Sequence, residues 1–494
     1  MAKASISQIG TNDPRTALKR DAFGIPGILF FVLSAQAPLT SIVGAAALAV
    51  ALGNGSGAPG AYLVVGVVIV LFAVGFTTVT RHLDARGGFF AVIRAGLGFG
   101  IGAAGSLLAL LSYNAIQFAL YGLFGASVSG LLSHQFGVET PWWVWVVAAV
   151  AMVCFLGSRK IELGAQVLAV LVGFELLLLI VFAVAVLFSK GVSALDVPAS
   201  FGPGAVLAGA PGVAIMFAIA SMFGFESTAI YSSEAKNPRK TVPRATYIAV
   251  IVVAVFLSFV TWMLVCFYGA GQVREAAGAA LAGDPAGFAL GPLDSVLGSW
   301  SSTAAEYLLC TSLFAGLLSF HNMITRYFHA MAGKGLFPPV LERTNRHQAP
   351  SMASLSQSLL AAVVMVPFAI LGMNPVGTLF SWFSGLGVAA LIVLYTVTSI
   401  AVIVYFRRNR VEPNLWTTLV APALASLLML GILVQVVRNF GVLTGGSAVT
   451  VGLLLVLVPL TFLAGWANSR RVSARDEIAA VTVEATEPAR PHNS

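Results

Sequence analysis

Charged side chains are scarce in this sequence: Lys, Arg, Asp and Glu make up 9% of 494 residues, against about 25% in an ordinary soluble domain. A soluble chain of this length would form about three domains, and 27 basic plus 19 acidic side chains cannot cover three polar surfaces. The shortage excludes a soluble enzyme, a disordered chain and a DNA-binding protein, so no nucleic-acid partner is expected. Cysteine is nearly absent as well. Cys154, Cys266 and Cys310 each sit inside an apolar run without metal-ligand spacing, so neither a disulfide framework nor a metal site is expected. The sequence has no HExxH, no Gly-x-Ser-x-Gly at a suitable depth and no phosphate-binding glycine loop. A membrane-embedded enzyme therefore lacks its nucleophile, base or metal cluster, and no cofactor is expected. The polar first 20 residues contain no short apolar core with a cleavage site, so the first apolar run is expected to be a retained span.

What the chain does have is hydrophobic residues, 58% of the total, gathered in runs of about 20 or more that suit helices crossing a bilayer. Cutting these runs at charge, Gly and Pro predicts an all-α polytopic membrane protein with twelve spans. They fall near 23–52, 59–80, 97–131, 141–157, 161–189, 205–231, 244–271, 301–332, 352–372, 376–406, 415–437 and 446–467. With that division, 24 of the 27 Lys and Arg lie on one side, and Lys190, Arg274 and Arg438 on the other. An excess of basic residues marks the cytoplasmic side, so both termini are expected to be cytoplasmic and the protein to sit in a cell membrane. Trp142, Trp143 and Trp145 at the outer end of span four suit the headgroup layer.

Two spans carry obstacles to a continuous helix. Span one has Ala37, Pro38, Leu39, Thr40 and Ser41 within its apolar run, and an internal proline disfavours a helix by about 3 kcal/mol. Span six has Ser221, Met222, Phe223, Gly224 and then Glu226 at a similar depth. Spans one and six open two five-span halves, and an odd number places the halves in opposite orientation. Paired interruptions in inverted halves point to a transporter's midplane binding site. Freed N–H groups there suit a carboxylate, and freed carbonyls suit an ammonium. A packing kink at Pro38 and a close helix contact at Gly224 are the alternative.

Three loops add a resemblance. The stretches SSEAKNPRKTVPRA at 232–245, TRYFHAMAGKGLFPPVLERTNRHQAP at 325–350 and RHLDARGGFFAVIRAGLG at 81–98 resemble loops of amino acid/polyamine/organocation permeases. The resemblance implies the five-plus-five inverted repeat of the bacterial leucine transporter, with broken helices one and six and two additional C-terminal helices. On this reading 1–22 is a cytoplasmic segment, 23–189 and 205–406 are the two repeats, 415–467 holds helices eleven and twelve, and 468–494 is a flexible cytoplasmic tail. It also implies uptake or exchange of amino acids or related amines. The leading expectation is a proton-coupled amino acid symporter, with exchange of an amino acid for its amine product as the alternative, sodium coupling open, and a passive channel as a third reading. Carried onto this chain, the substrate carboxylate would be held by the N–H groups of Leu39, Thr40 and Ser41, and the ammonium by carbonyls of Ser221 to Phe223. Two positions depart from the family pattern: Ala37-Pro38-Leu39 stands where many members have Gly-Ser/Thr-Gly, and Ala220 stands where many have an aromatic gate, leaving Phe223 or Phe217 as lid.

Ionisable residues deep in a span are costly and become functional candidates. Glu175 in span five is a candidate proton carrier or cation ligand, at about the place where several proton-coupled relatives have a lysine; hydrogen bonding to a neighbouring helix is its alternative. Glu226 corresponds to an acidic position that the family uses in gating. His321 and Asn322 in span eight are coupling candidates, with packing as the alternative for the histidine. Tyr113, Asn114 and Gln117 share a face of span three and are candidates for the substrate side chain or for interhelical bonding. Ser381, Trp382 and Ser384 are weaker candidates of that kind.

Overall fold

The computed structural model describes residues 36–83, 88–159, 161–226 and 236–486, with Gly24, Ile25, Leu29, Val32 and Leu33; of 161–169, 238–239 and 473–486 it describes the backbone alone. The expected segment 1–22, the end of the expected tail and the first part of the 232–245 stretch lie outside the described residues.

Among the described residues every regular element is a helix. Nine stretches of the described residues are long and apolar enough to cross a membrane: Pro38–His82, Phe99–Phe136, Val170–Lys190, Lys240–Tyr268, Ser299–Ala332, Ser351–Ile370, Pro375–Asn409, Trp416–Leu443 and Ala448–Val472. The first is 45 residues long, about twice what a bilayer needs. It divides at Gly53, whose φ of −94° and ψ of −117° are not helical, and at Gly55, whose φ is 61°. Only glycine enters such backbone regions cheaply, and the two segments correspond to the expected spans one and two. Three shorter apolar helices, Trp142–Gly157, Pro211–Ser221 and Gly287–Leu297, complete the apolar set. The first two lie within expected spans four and six.

The Phe99–Phe136 helix is the axis of the packing. It contacts the Ser299–Ala332, Ser381–Asn409, Ala448–Thr486 and Phe89–Leu97 helices, and its most apolar window is 83% buried. The corresponding figure for Ala448–Val472 is 11%, so that helix faces outward. Other outward faces are equally apolar: Leu359, Val363 and Ile370 are exposed on the Ser351–Ile370 helix. An outer surface of this kind suits hydrocarbon rather than water.

Some helices arise where loops are expected. Val273–Ala282 and Gly287–Leu297 fill the connection before span eight; the former packs on Ala49–Asn54 and the latter on Ser299–Ala332. Alanine-rich composition in the first favours a helix without an apolar run long enough to signal a span. The last helix continues from Ala448 to Thr486, past the limit at 467 expected for span twelve. Residues 89–97 form a helix that packs on Ser381–Asn409 so closely that a Cβ on Gly96 would lie 2.1 Å from the Ala401 carbonyl oxygen. Gly96→Val is therefore expected to destabilise the protein by about 1–3 kcal/mol, measured as a lowered unfolding temperature in detergent, while Gly431→Val, where no atom lies within 4 Å, should change it little.

Candidate functional site

The site is built around a local backbone irregularity. Gln36 is helical, Ala37 adopts the left-handed region with φ 44° and ψ 76°, and Pro38–Thr40 starts a new helical turn. A left-handed residue with a Cβ costs about 1–2 kcal/mol, and a residue before proline is in any case kept out of the right-handed helical region. Pro38 is fully compatible with the first position of the new turn, where its missing N–H would have no partner anyway. Across the cavity the Pro211–Ser221 helix ends, and 222–226 run in turns with Gly224 at φ 103°.

Glu175 reaches this irregularity from the Ile161–Lys190 helix. Its side chain is 0% exposed. Oε2 accepts a 2.7 Å hydrogen bond from Ser312 Oγ and a longer 3.4 Å bond from the Leu39 N–H, while Oε1 has no partner. Thr40 Oγ1 donates to Ser312 Oγ at 3.4 Å. The carboxylate thus joins three helices at the start of the new turn, where backbone N–H groups attract negative charge. Gln36 spans the other side: its Nε2 donates to the Met222 carbonyl at 3.3 Å, and Ser41 Oγ donates to the Gln36 carbonyl at 2.8 Å. Ser221 Oγ pairs with the Tyr62 hydroxyl at 3.1 Å. Between them lies a small cavity of about 30 Å³ that Ala37, Thr40, Ser41, Ser221, Phe320 and Ser384 help to line.

A second carboxylate, Glu226, stands at the end of the 222–226 turns. Glu226 Oε2 accepts from the Gly224 N–H at 3.2 Å and from the Tyr395 hydroxyl at 3.0 Å. Tyr113 faces the same carboxylate without reaching hydrogen-bond geometry. Phe225 and Phe72 pack on Tyr395, and Phe223 meets Tyr113 edge to face at 5.9 Å. The result is a plug of rings around one buried acid.

Of the expected site residues, Ala37, Thr40, Ser41, Ser221 and Ser384 line the cavity, Pro38 belongs to the same turn, Leu39, Met222 and Glu175 join it through the hydrogen bonds above, and Phe223, Gly224, Glu226 and Tyr113 form the adjoining plug. Asn114, Gln117, His321, Asn322 and Ser381 have other partners. Asn114 and Gln117 turn to Gln357, whose Nε2 donates to their side-chain oxygens at 2.7 and 2.6 Å. His321 bonds Ser354 Oγ at 2.7 Å and packs against Gly157, where a Cβ would lie 2.6 Å from its ring. The Asn322 carbonyl accepts from Thr325 and Arg326. Residues 321 and 322 stand about 14 Å along the helix from Ser312. Two details differ from the expected donor arrangement: the Ser41 N–H is used by the Ala37 carbonyl at 2.9 Å, and the Leu39 N–H by Glu175. Ser381 bonds the Leu443 carbonyl. Sequence reasoning missed Ser312, Tyr395 and Gln357 as partners; the isolated glutamine in an apolar helix was the one visible signal. Among the described residues no group of three His, Cys, Asp or Glu has the arrangement of a metal site.

Long apolar helices packed around a buried polar centre define a multi-pass membrane protein. The chain belongs to the amino acid permease family, whose pattern it matches over residues 28–464. A permease family is one of transporters, not enzymes. The branched-chain amino acid permease BcaP of Lactococcus lactis subsp. cremoris (strain MG1363) is 31% identical over 185 residues, which are 36% of this chain and 37% of that protein. The match thus spans little more than a third of that relative's length. The crystal structure of MhsT in complex with L-phenylalanine is similar in fold, with a TM-score of 0.50 at 16% identity, covering 85% of this chain and 100% of that one.

Gln357→Leu would leave the Asn114 and Gln117 side-chain oxygens buried without their donor, at about 1–3 kcal/mol for each. The expected outcome is a clear fall in unfolding temperature, with Gln357→Glu also destabilising because two acceptors would then face a third.

Proposed function

We propose that this protein is a secondary active transporter that moves amino acids across a cell membrane by alternating access, as a proton-coupled symporter. Family membership supports amino acid transport, and BcaP and MhsT, by their names and bound ligand, act on or bind amino acids. The observation that carries the coupling is Glu175: a fully buried carboxylate, bonded to the Leu39 N–H and to Ser312, with one oxygen free. Among the described residues no cation pairs with it. Such a group is expensive in a membrane unless it takes up and releases a proton as the site opens and closes.

In this reading the chain has twelve spans in two inverted five-helix repeats plus two C-terminal helices, with both termini cytoplasmic. Spans one and six are broken at Ala37–Pro38 and after Ser221, and the substrate sits between the breaks. Glu226, held by Tyr395 and the Gly224 N–H, closes the route on one side of the site with its ring of aromatic residues. Asn114, Gln117, His321 and Asn322 act in packing and not on the substrate or the ion.

Uptake into proteoliposomes with a panel of amino acids and amines, under imposed proton and then sodium gradients, tests the function. Accumulation driven by the proton gradient is expected. Accumulation that requires a counter-substrate inside, and not a gradient, would make the protein an exchanger. Glu175→Gln should keep substrate binding and lose proton-driven accumulation; unchanged coupling would remove Glu175 from its role. Pro38→Ala together with Gly224→Leu should alter affinity and rate, and wild-type values for both would contradict the placement of the substrate.

A further inference from the structure

The backbone groups best suited to an amino acid are already in use by the protein's own side chains. A carboxylate, Glu175, sits on the Leu39 N–H, and an amide nitrogen, Gln36 Nε2, sits on the Met222 carbonyl. These are a negative acceptor on a helix-start donor and an N–H donor on a helix-end acceptor, the two contacts a zwitterion would make. Gln36 and Glu175 are 4% and 0% exposed, and each has a side-chain oxygen, Oε1, without a partner. Both contacts, at 3.3 and 3.4 Å, are longer than the usual 2.7–3.2 Å of an N–H···O bond, so they are weak. Glu175 retains its short bond to Ser312 if the Leu39 contact is lost, and the Gln36 main chain is held by the bond its backbone carbonyl accepts from Ser41, so its carboxamide can turn from Met222 by side-chain rotation alone. Neither side chain needs to leave the site to give up its backbone partner.

We infer that Glu175 and Gln36 are internal stand-ins for the carboxylate and the ammonium of the substrate, and that a bound α-amino acid displaces both. The inference rests on the proposed transport of amino acids and sharpens it: the full ligand carries both groups on one carbon, whereas a decarboxylated amine displaces Gln36 alone. Occupancy by the stand-ins lowers apparent affinity, because only the fraction of molecules with vacated backbone groups binds. Ordinary contact residues behave in the opposite way, since removing them weakens binding.

The experiment is equilibrium binding to the purified full chain with L-leucine, L-phenylalanine and their amines, isoamylamine and phenethylamine. Glu175→Ala is expected to bind the amino acids at least about threefold more tightly and not to tighten amine binding. Gln36→Ala should tighten both classes. Glu175→Gln preserves side-chain size where the alanine variant fails to fold, and should tighten amino acid binding in the same direction, because a neutral amide is a weaker acceptor than a carboxylate. Weaker or unchanged amino acid binding in the Glu175 and Gln36 variants that fold would overturn the inference and leave the transport reading intact. Absence of binding to the wild-type protein by L-leucine, L-phenylalanine and every other amino acid of the uptake panel would remove the transport reading and this inference with it.

Discussion

Hydrocarbon offers a free N–H or C=O nothing to bond with, and that constraint governs the centre of this molecule. Wherever a helix stops short inside the bilayer, its end groups need a partner supplied by the protein, by water or by a ligand. At Ala37–Pro38 and after Ser221 the backbone does stop, and the partners it finds are side chains from elsewhere: Glu175 on Leu39, Gln36 on Met222 and Glu226 on Gly224. Each of these is polar, buried and only half satisfied, with an Oε1 that has no partner. A half-satisfied polar network is a poor way to stabilise a fold. It is a good way to keep a site ready for exchange.

The surrounding helices make that unfavourable centre affordable. The Phe99–Phe136 helix is buried on nearly all sides and gives each neighbour a different surface. Tyr113 goes to the aromatic plug, Asn114 and Gln117 to Gln357, and Gly122 to the backbone at Pro375. The amide cluster with Gln357 and the His321–Ser354 contact tie together the helices at 99–136, 299–332 and 351–370 without touching the cavity. They fix one rigid wall against which the segments at 36–41 and 221–226 are presented.

Much of this was legible in the sequence, for reasons that differ by residue. Apolar runs of span length identify membrane helices because water and lipid discriminate strongly at that scale, and Glu175 and Glu226 stand out because a carboxylate inside such a run is costly unless something there bonds or protonates it. Pro38 announces its irregularity through its missing N–H. The partners were not legible. Ser312 and Tyr395 are residue types common in spans, and their importance comes from which way two other helices are turned. For span three the spacing gave a shared polar face but no neighbour: Tyr113 and Asn114 lie about 100° apart around the helix, and in a helix enclosed on every side that angle sends them to different partners. The helices at 273–282 and 287–297 escaped because a short helix in a connection leaves no signal comparable to a span.

Ala37 and Pro38 together also settle the mechanical character of span one. A straight helix through this point is not an accessible relaxed form, since the proline ring opposes the right-handed helical region at the residue before it and cannot supply the bond that would stiffen the junction. The turn that starts at Pro38 is therefore jointed to Gln36 at Ala37, and the stiffness of that joint is set in part by the same carboxylate and carboxamide that occupy the backbone beside it.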